Sequence, residues 1–284
     1  MPTWLRAALV VGEIGLLLWL EHRRPLRASV EPKLRRNAKN LGVAAAGALA
    51  LQIAERPLVS PVSRLVERRR WGLLNQFSMA GWLQVCLAVV LMDYTLYVWH
   101  VLVHRVSWLW RMHLVHHVDL DMDASTALRF HFAELVISVP WRVTQVALIG
   151  VSPISLSAWQ TFLMFSILFH HSNVELPIKT ERWLSRFIVT PRLHGIHHSI
   201  VRDETDSNWS SGLTVWDWLH ATLRLDVPQQ EITIGVPAYR GAEDVTYPKI
   251  MSMPFRKQRP AWGLPGNGQP ARKPLSESAD RLVE

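Results

Sequence analysis

Along the chain, apolar positions gather into five runs separated by short polar connections. A helix that crosses a bilayer needs about 17–25 predominantly apolar residues. Trp4 to Leu20 meets that length, with Arg6 and Glu13 inside it and Trp4 and Trp19 placed as interfacial anchors. Leu41 to Ala54, rich in Ala, Leu and Gly, predicts a second and weaker span, fully crossing or re-entrant, that Pro57 and Pro61 end. Arg64 to Trp71 mixes basic and apolar residues as an interfacial helix does. Trp82 to Val103 is a strong third span interrupted by Asp93. Phe132 to Leu148, containing Pro140, and Ile154 to Phe169 are a fourth and fifth, joined as a hairpin by the break GVSP.

The polar connections orient these spans. Arg23, Arg24, Arg27, Lys33, Arg35, Arg36 and Lys39, against Glu21 and Glu31, form a basic loop expected on the cytoplasmic side. The first run lacks a small-residue cleavage site and ends in Glu21-His22-Arg23-Arg24, so it reads as a retained membrane helix rather than a signal peptide. With that orientation, spans three and five both return to the cytoplasmic side, at His104 and His171. Composition agrees: only 19% of residues are charged and 14 are Trp, against about 25% charged in soluble domains. The net charge of +8 and pI near 10.1 flank apolar runs, which fits anionic lipid surfaces rather than nucleic acid. A single cysteine, Cys86, excludes an internal disulfide framework and any Cys-rich metal site, and reads as a buried structural thiol. The expectation is an all-α integral membrane helical bundle of about four to five spans, with a cytoplasmic helical cap.

Eight histidines fall into three groups: His100 and His104, then His113, His116 and His117, then His194, His197 and His198. Their spacings, HxxxH and twice HxxHH, put the imidazoles of each group on one helical face. Neutral imidazole is the commonest side-chain metal ligand, and one HxxxH alone is weak evidence; the ordered trio is strong. The groups stand at span ends and beyond, where a transporter would instead place ligands near the midplane. No Glu-x-x-His pair of the soluble di-iron bundles is present.

This order of motifs resembles the fatty acid hydroxylase/sterol desaturase superfamily over roughly residues 84–224. Secondary marks include Thr126 to His131 followed by Glu134, His171-Ser172-Asn173, Asn208 and Trp216-Asp217. The resemblance implies a two-metal, histidine-only centre held by the eight motif histidines together with His131 and His171. It makes His170 a weaker candidate and leaves His22 and His220 outside the ligand set. Phe132, where many relatives carry proline, and Trp209 bear on packing or substrate. Asp93, Glu134, Asn173, Asn208 and Asp217 are candidates for orienting the ligands; Asp93 lies two turns before His100 on the same face.

Residues 1–81 are then N-terminal membrane helices and basic loop, 82–225 the catalytic domain, and 226–284 a polar segment, disordered beyond about 257. The implied activity is O2-dependent hydroxylation of a lipid or sterol-like C–H bond at two iron ions, with zinc able to occupy the site as purified. A desaturase would use the same site, and a metal-binding membrane protein without redox activity is the reading from another class. The substrate would enter from the bilayer, with Trp108, Trp110, Arg111 and Arg129 near its polar head. No haem, flavin or nucleotide-binding motif is visible, so electrons would come from a separate cytochrome b5- or ferredoxin-like donor on the cytoplasmic face.

Overall fold

A computed structural model describes residues 3–264 and 268–272. Helices dominate, and among the described residues the only β pairings are three isolated bridges. The long elements are α1 (Thr3–Arg23), α2 (Lys33–Ala50), α3 (Arg56–Arg69), α4 (Gly81–Arg105), α5 (Ser107–His117), α6 (Phe132–Ile149) and α7 (Pro153–His171). Short helices follow: α8 (Ile178–Leu184), α9 (Pro191–His197), α10 (Arg202–Thr205), α11 (Val215–Leu219) and α12 (Tyr247–Ser252).

All five apolar runs are helical, but two helices among the described residues, α4 and α6, are long and apolar enough to cross a membrane. The second run does not stop at its prolines. It passes through a π turn, Leu51–Glu55, into α3, with Pro57 in the first turn and Pro61 inside. A π turn shifts the ladder by one residue, so the missing N–H of Pro57 falls where no intrahelical donor is needed. Val59, Ser63 and Val66 recur at helical spacing and are buried, and the Ser63 hydroxyl donates to the Val151 carbonyl at 2.8 Å.

The hairpin between α6 and α7 turns at Gly150, whose φ of 88° ends α6 in the left-handed region. Ser152 then caps α7 by accepting from the Ser155 N–H, with Pro153 pre-set in the first turn. One core lies within the bundle: Val59, Val66, Ala88, Met92, Val146, Leu156 and Trp159. A second joins the bundle to the C-terminal cap through Val43, Leu114, Val118, Val236, Tyr239 and Ile250. The histidine-bearing ends of α4, α5, α7 and α9 meet beside this junction.

Disorder beyond about residue 257 does not hold for the described part of the tail. Trp262 stacks on Trp110 at 5.9 Å, Arg259 forks onto Asp244, and Arg272 pairs with Glu204. Residues 265–267 and 273–284 lie outside the described residues.

Candidate metal centre

Side chains on an α-helix advance by 100° per residue, so adjacent histidines point in different directions. That geometry divides the HxxHH motifs, whose three imidazoles do not share the single helical face expected from their spacing. The rings of His116 and His117 stand at 85° to one another, and those of His197 and His198 at 83°. One member of each doublet faces one cluster and its neighbour faces another. His100 and His104 of α4, His117 of α5 and His197 of α9 bring one nitrogen each to within 4.8 Å of the other three. His116 of α5, His171 at the end of α7, His194 of α9 and the following His198 do the same. His117 and His198 stack between the clusters, centroids 4.3 Å apart.

The protonation pattern suits cations. A backbone carbonyl only accepts, so a ring nitrogen against one must carry the proton. His100 Nδ1 donates to the Trp209 carbonyl at 2.6 Å, His197 Nδ1 to Ser207 at 2.9 Å and His171 Nδ1 to Ile167 at 2.8 Å. Each Nε2 then presents a lone pair to its cluster. In the second cluster, His171 Nε2 is 3.0 Å from both His116 Nε2 and His194 Nε2, and His194 Nε2 is 3.2 Å from His198 Nε2. Nitrogens held tetrahedrally at about 2.0–2.1 Å from one ion would stand about 3.3 Å apart, so the donors fit. In the first cluster, His104 Nε2, His197 Nε2 and both nitrogens of His117 are buried without a partner.

Burial, then repulsion from neighbouring imidazoles, holds His116, His117, His194 and His198 well below the usual histidine range. Burial, with the charges of His113 and His171, pushes His197 down to about 3, although hydrogen bonds to backbone oppose the shift. Neutral imidazole is the form that binds metal, and at neutral pH it is the form present.

His113 belongs to neither tetrad but lies between them, its ring 4.9 Å from His104, 5.0 Å from His117 and 5.2 Å from both His100 and His116. Its Nδ1 meets Glu134 Oε1 at 2.9 Å, and its Nε2 is buried without a partner. A carboxylate behind a ligating imidazole fixes the tautomer and raises basicity, which suits His113 as a further ligand.

His131 is not brought to either cluster. It caps α6, its Nδ1 accepting from the Ala133 N–H, and its Nε2 contacts the Met251 carbonyl at 3.1 Å. Both nitrogens are therefore engaged elsewhere. His170, the weaker candidate, comes closer: its ring is 4.1 Å from His194 and its buried Nδ1 has no partner. The doublet at 170–171 follows the pattern of the other two, and that was the available signal.

Four of the five supporting candidates act at one remove or elsewhere. Asp93 does not reach His100; two turns separate them by about 10 Å along the axis. It accepts from Leu213 N at 2.9 Å and Trp216 Nε1 at 2.8 Å, tying α4 to α11 and the loop before it. Asp217 receives the N–H groups of Trp209 and Ser210, and Asn208 bonds Leu193 and Arg224. Together they fix the strip whose Ser207 and Trp209 carbonyls hold His197 and His100. Asn173 exchanges two hydrogen bonds with the backbone of Arg27.

Several arginines expected at the surface are instead buried supports. Arg129 is not at a surface where a polar head would lie. Arg129 is fully enclosed, donating to Val115 O and Asn40 Oδ1 beside Asp119, and Trp110 packs on the His104 ring at 4.9 Å. Arg111 bonds the carbonyls of Pro254 and Arg256, while Trp108 is exposed. Arg36, from the basic loop, pairs inside with Asp119 and Asp123. Burial opposes the Asp119 charge, yet Arg36 and Arg129 hold its carboxyl below the usual range. Arg27 donates to the Pro191 carbonyl and Gln229 and presses on Gly195, where a Cβ would lie 1.8 Å from its Nη2. The glycine of HGIHH is thus required by close approach.

Residues 85–222 match the fatty acid hydroxylase family. The chain is 31% identical over 163 residues to an ornithine lipid hydroxylase of Rhizobium tropici, covering 57% of this chain and 47% of that one. It is 27% identical over 143 residues to mouse cholesterol 25-hydroxylase, covering 49% and 46%, and 29% identical over 137 residues to human alkylglycerol monooxygenase, covering 47% and 29%. The chain thus spans about half the length, or less, of these curated relatives. No solved structure matches.

Proposed function

The chain belongs to the fatty acid hydroxylase/sterol desaturase superfamily, and from that membership we propose that it is a membrane-bound, O2-dependent di-iron hydroxylase of a lipid. The observation that carries the reading is the pair of buried histidine tetrads that share both doublets. Those tetrads would hold two iron ions, which when bound supply the reduction of dioxygen and the replacement of an unactivated C–H hydrogen by hydroxyl.

The protein's part is binding, orientation and exclusion of water. Backbone carbonyls hold His100, His171 and His197 with lone pairs inward, and Glu134 does so for His113. Phe130 stacks on His116 at 4.5 Å, and Trp209 lies 4.7 Å from His104, so apolar rings wall the centre. Exposed apolar side chains on the helices, among them Val11, Leu49, Ile53, Leu148 and Ile154, fit a lipid-facing belt. In this reading the protein is multi-pass and the histidine centre faces the cytoplasm. A separate cytochrome b5- or ferredoxin-like donor supplies electrons there. The named relatives act on an ornithine lipid, cholesterol and alkylglycerols, which supports a membrane lipid as substrate.

The test has two parts. Anaerobically purified protein should carry two iron ions per chain, and a deletion strain should accumulate a lipid that lacks one hydroxyl. A single zinc with no O2-dependent turnover would overturn the proposal, and an alkene product would reassign it to a desaturase.

A further inference from the structure

Away from the histidines, α6 carries a buried cation. Arg142 is 9% exposed, and its Nε and Nη1 have no hydrogen-bond partner. Its guanidinium lies over the Trp159 ring at 4.3 Å, a contact that covers one face and leaves the in-plane donors free. Glu55, in the π turn, is the acid whose field reaches it, yet no ion pair to Arg142 forms among the described residues. One turn on, Gln145 donates its amide to Thr95 Oγ1 at 2.5 Å, leaving its own buried Oε1 unpartnered. The Trp159 Nε1–H is also buried and unpartnered. Polar groups left this way inside an apolar bundle are costly, and they are characteristic of a place where a ligand completes the set.

An apolar groove lies next to this place along α6. Ile53, Pro57 and Leu58 face Val136, Val139 and Pro140 across an open cavity of about 390 Å³. Arg142 follows Val139 by one helical turn. In the other direction along α6 lies Glu134, which holds His113. Eight residues of helix separate Glu134 from Arg142, about 12 Å along the axis. Histidine centre, apolar groove and unpaired guanidinium therefore succeed one another along a single helix.

We propose that the groove between α3 and α6 receives an acyl lipid whose anionic headgroup oxygen is held by Arg142 and Trp159 Nε1, while Gln145 Oε1 takes an adjacent N–H or O–H of the same headgroup. The inference rests on the lipid-hydroxylase reading for its purpose and adds the class of substrate. A neutral sterol does not answer the charge of Arg142; an N-acyl amino acid, with its carboxylate beside an amide N–H, does.

Binding to the full chain in nanodiscs of zwitterionic lipid, loaded with metal and kept free of oxygen, tests this without turnover. The probes are N-oleoylglycine and its methyl ester, each with a diazirine in the acyl chain. The acid should bind at least tenfold tighter than the ester, with crosslinks within 53–58 and 136–140. Arg142→Gln should bring the two within twofold while metal content is unchanged, and Arg142→Lys should keep part of the preference. Val139→Trp, which fills the groove and leaves the guanidinium, should weaken both probes alike and decides the matter if Arg142→Gln fails to fold. Equal binding of acid and ester to wild type, a preference that survives Arg142→Gln, or crosslinks confined to other segments would overturn the proposal. Selective binding by a protein that oxidises no lipid would sink the hydroxylase reading and leave this one standing.

Discussion

The two histidine tetrads match in composition but are assembled over different lengths of chain. Three members of the first, His100, His104 and His117, come from eighteen consecutive residues on α4 and α5, and only His197 arrives from afar. The second draws on α5, α7 and α9, so its ligands span His116 to His198. The first is braced by the strip at 207–210 that Asn208 and Asp217 fix. The second depends on the loop after α1, where Arg27 contacts both Asn173 and the α9 segment. A site built from neighbours inherits its geometry from two helices; a site built from distant segments inherits it from the whole fold.

The doublets give the largest test of this contrast. His117→Ala should remove the first metal and His116→Ala the second, each lowering metal content from two per chain towards one by elemental analysis and abolishing turnover. Loss of both metals from either variant would erase the distinction between the groups. Glu134→Gln replaces the carboxylate behind His113 and should weaken metal binding about 10–100-fold, read by chelator competition. Gly195→Ala forces a methyl into the Arg27 guanidinium. It should cost about 1–3 kcal/mol in unfolding experiments and loosen the second group before the first.

Mild acid on the metal-free protein tests the burial that both groups share. His116, His117, His194 and His198 titrate lower in the folded chain than the ordinary value near 6.5, and His197 at about 3. The unfolded chain therefore takes up protons first. Their contribution to stability is complete above about pH 6.5 and is lost progressively as pH falls towards 3. Melting of the apoprotein at pH 7.5 and 5.5 checks this, and equal melting temperatures would contradict the burial.

What could be read beforehand follows the same division between near and far. Histidine spacing and the apolar runs are local properties, so the motif groups and the helices they sit on were legible in the text of the chain. The allocation of each doublet between two clusters was not, because it depends on where α7 and α9 return. His131 and His170 show the limit: the first sits in a matching motif but turns to cap α6, while the second borders His194. Arg27, Arg36 and Arg129 were legible only as charge. Their inward direction depends on Pro191, Asp119, Asn40 and Asp123, acceptors that stand far along the chain. The second run continues past its prolines because the π turn sets Pro57 in the first turn of α3, while Pro61 is carried inside that helix.

His116 and His117 share a backbone, as do His197 and His198, so fixing one ring of a pair restrains the other. An ion entering either group therefore removes conformational freedom that the second ion would otherwise have to remove. The second ion should therefore bind more tightly than the first, and a stepwise titration of apoprotein should read a smaller dissociation constant for it.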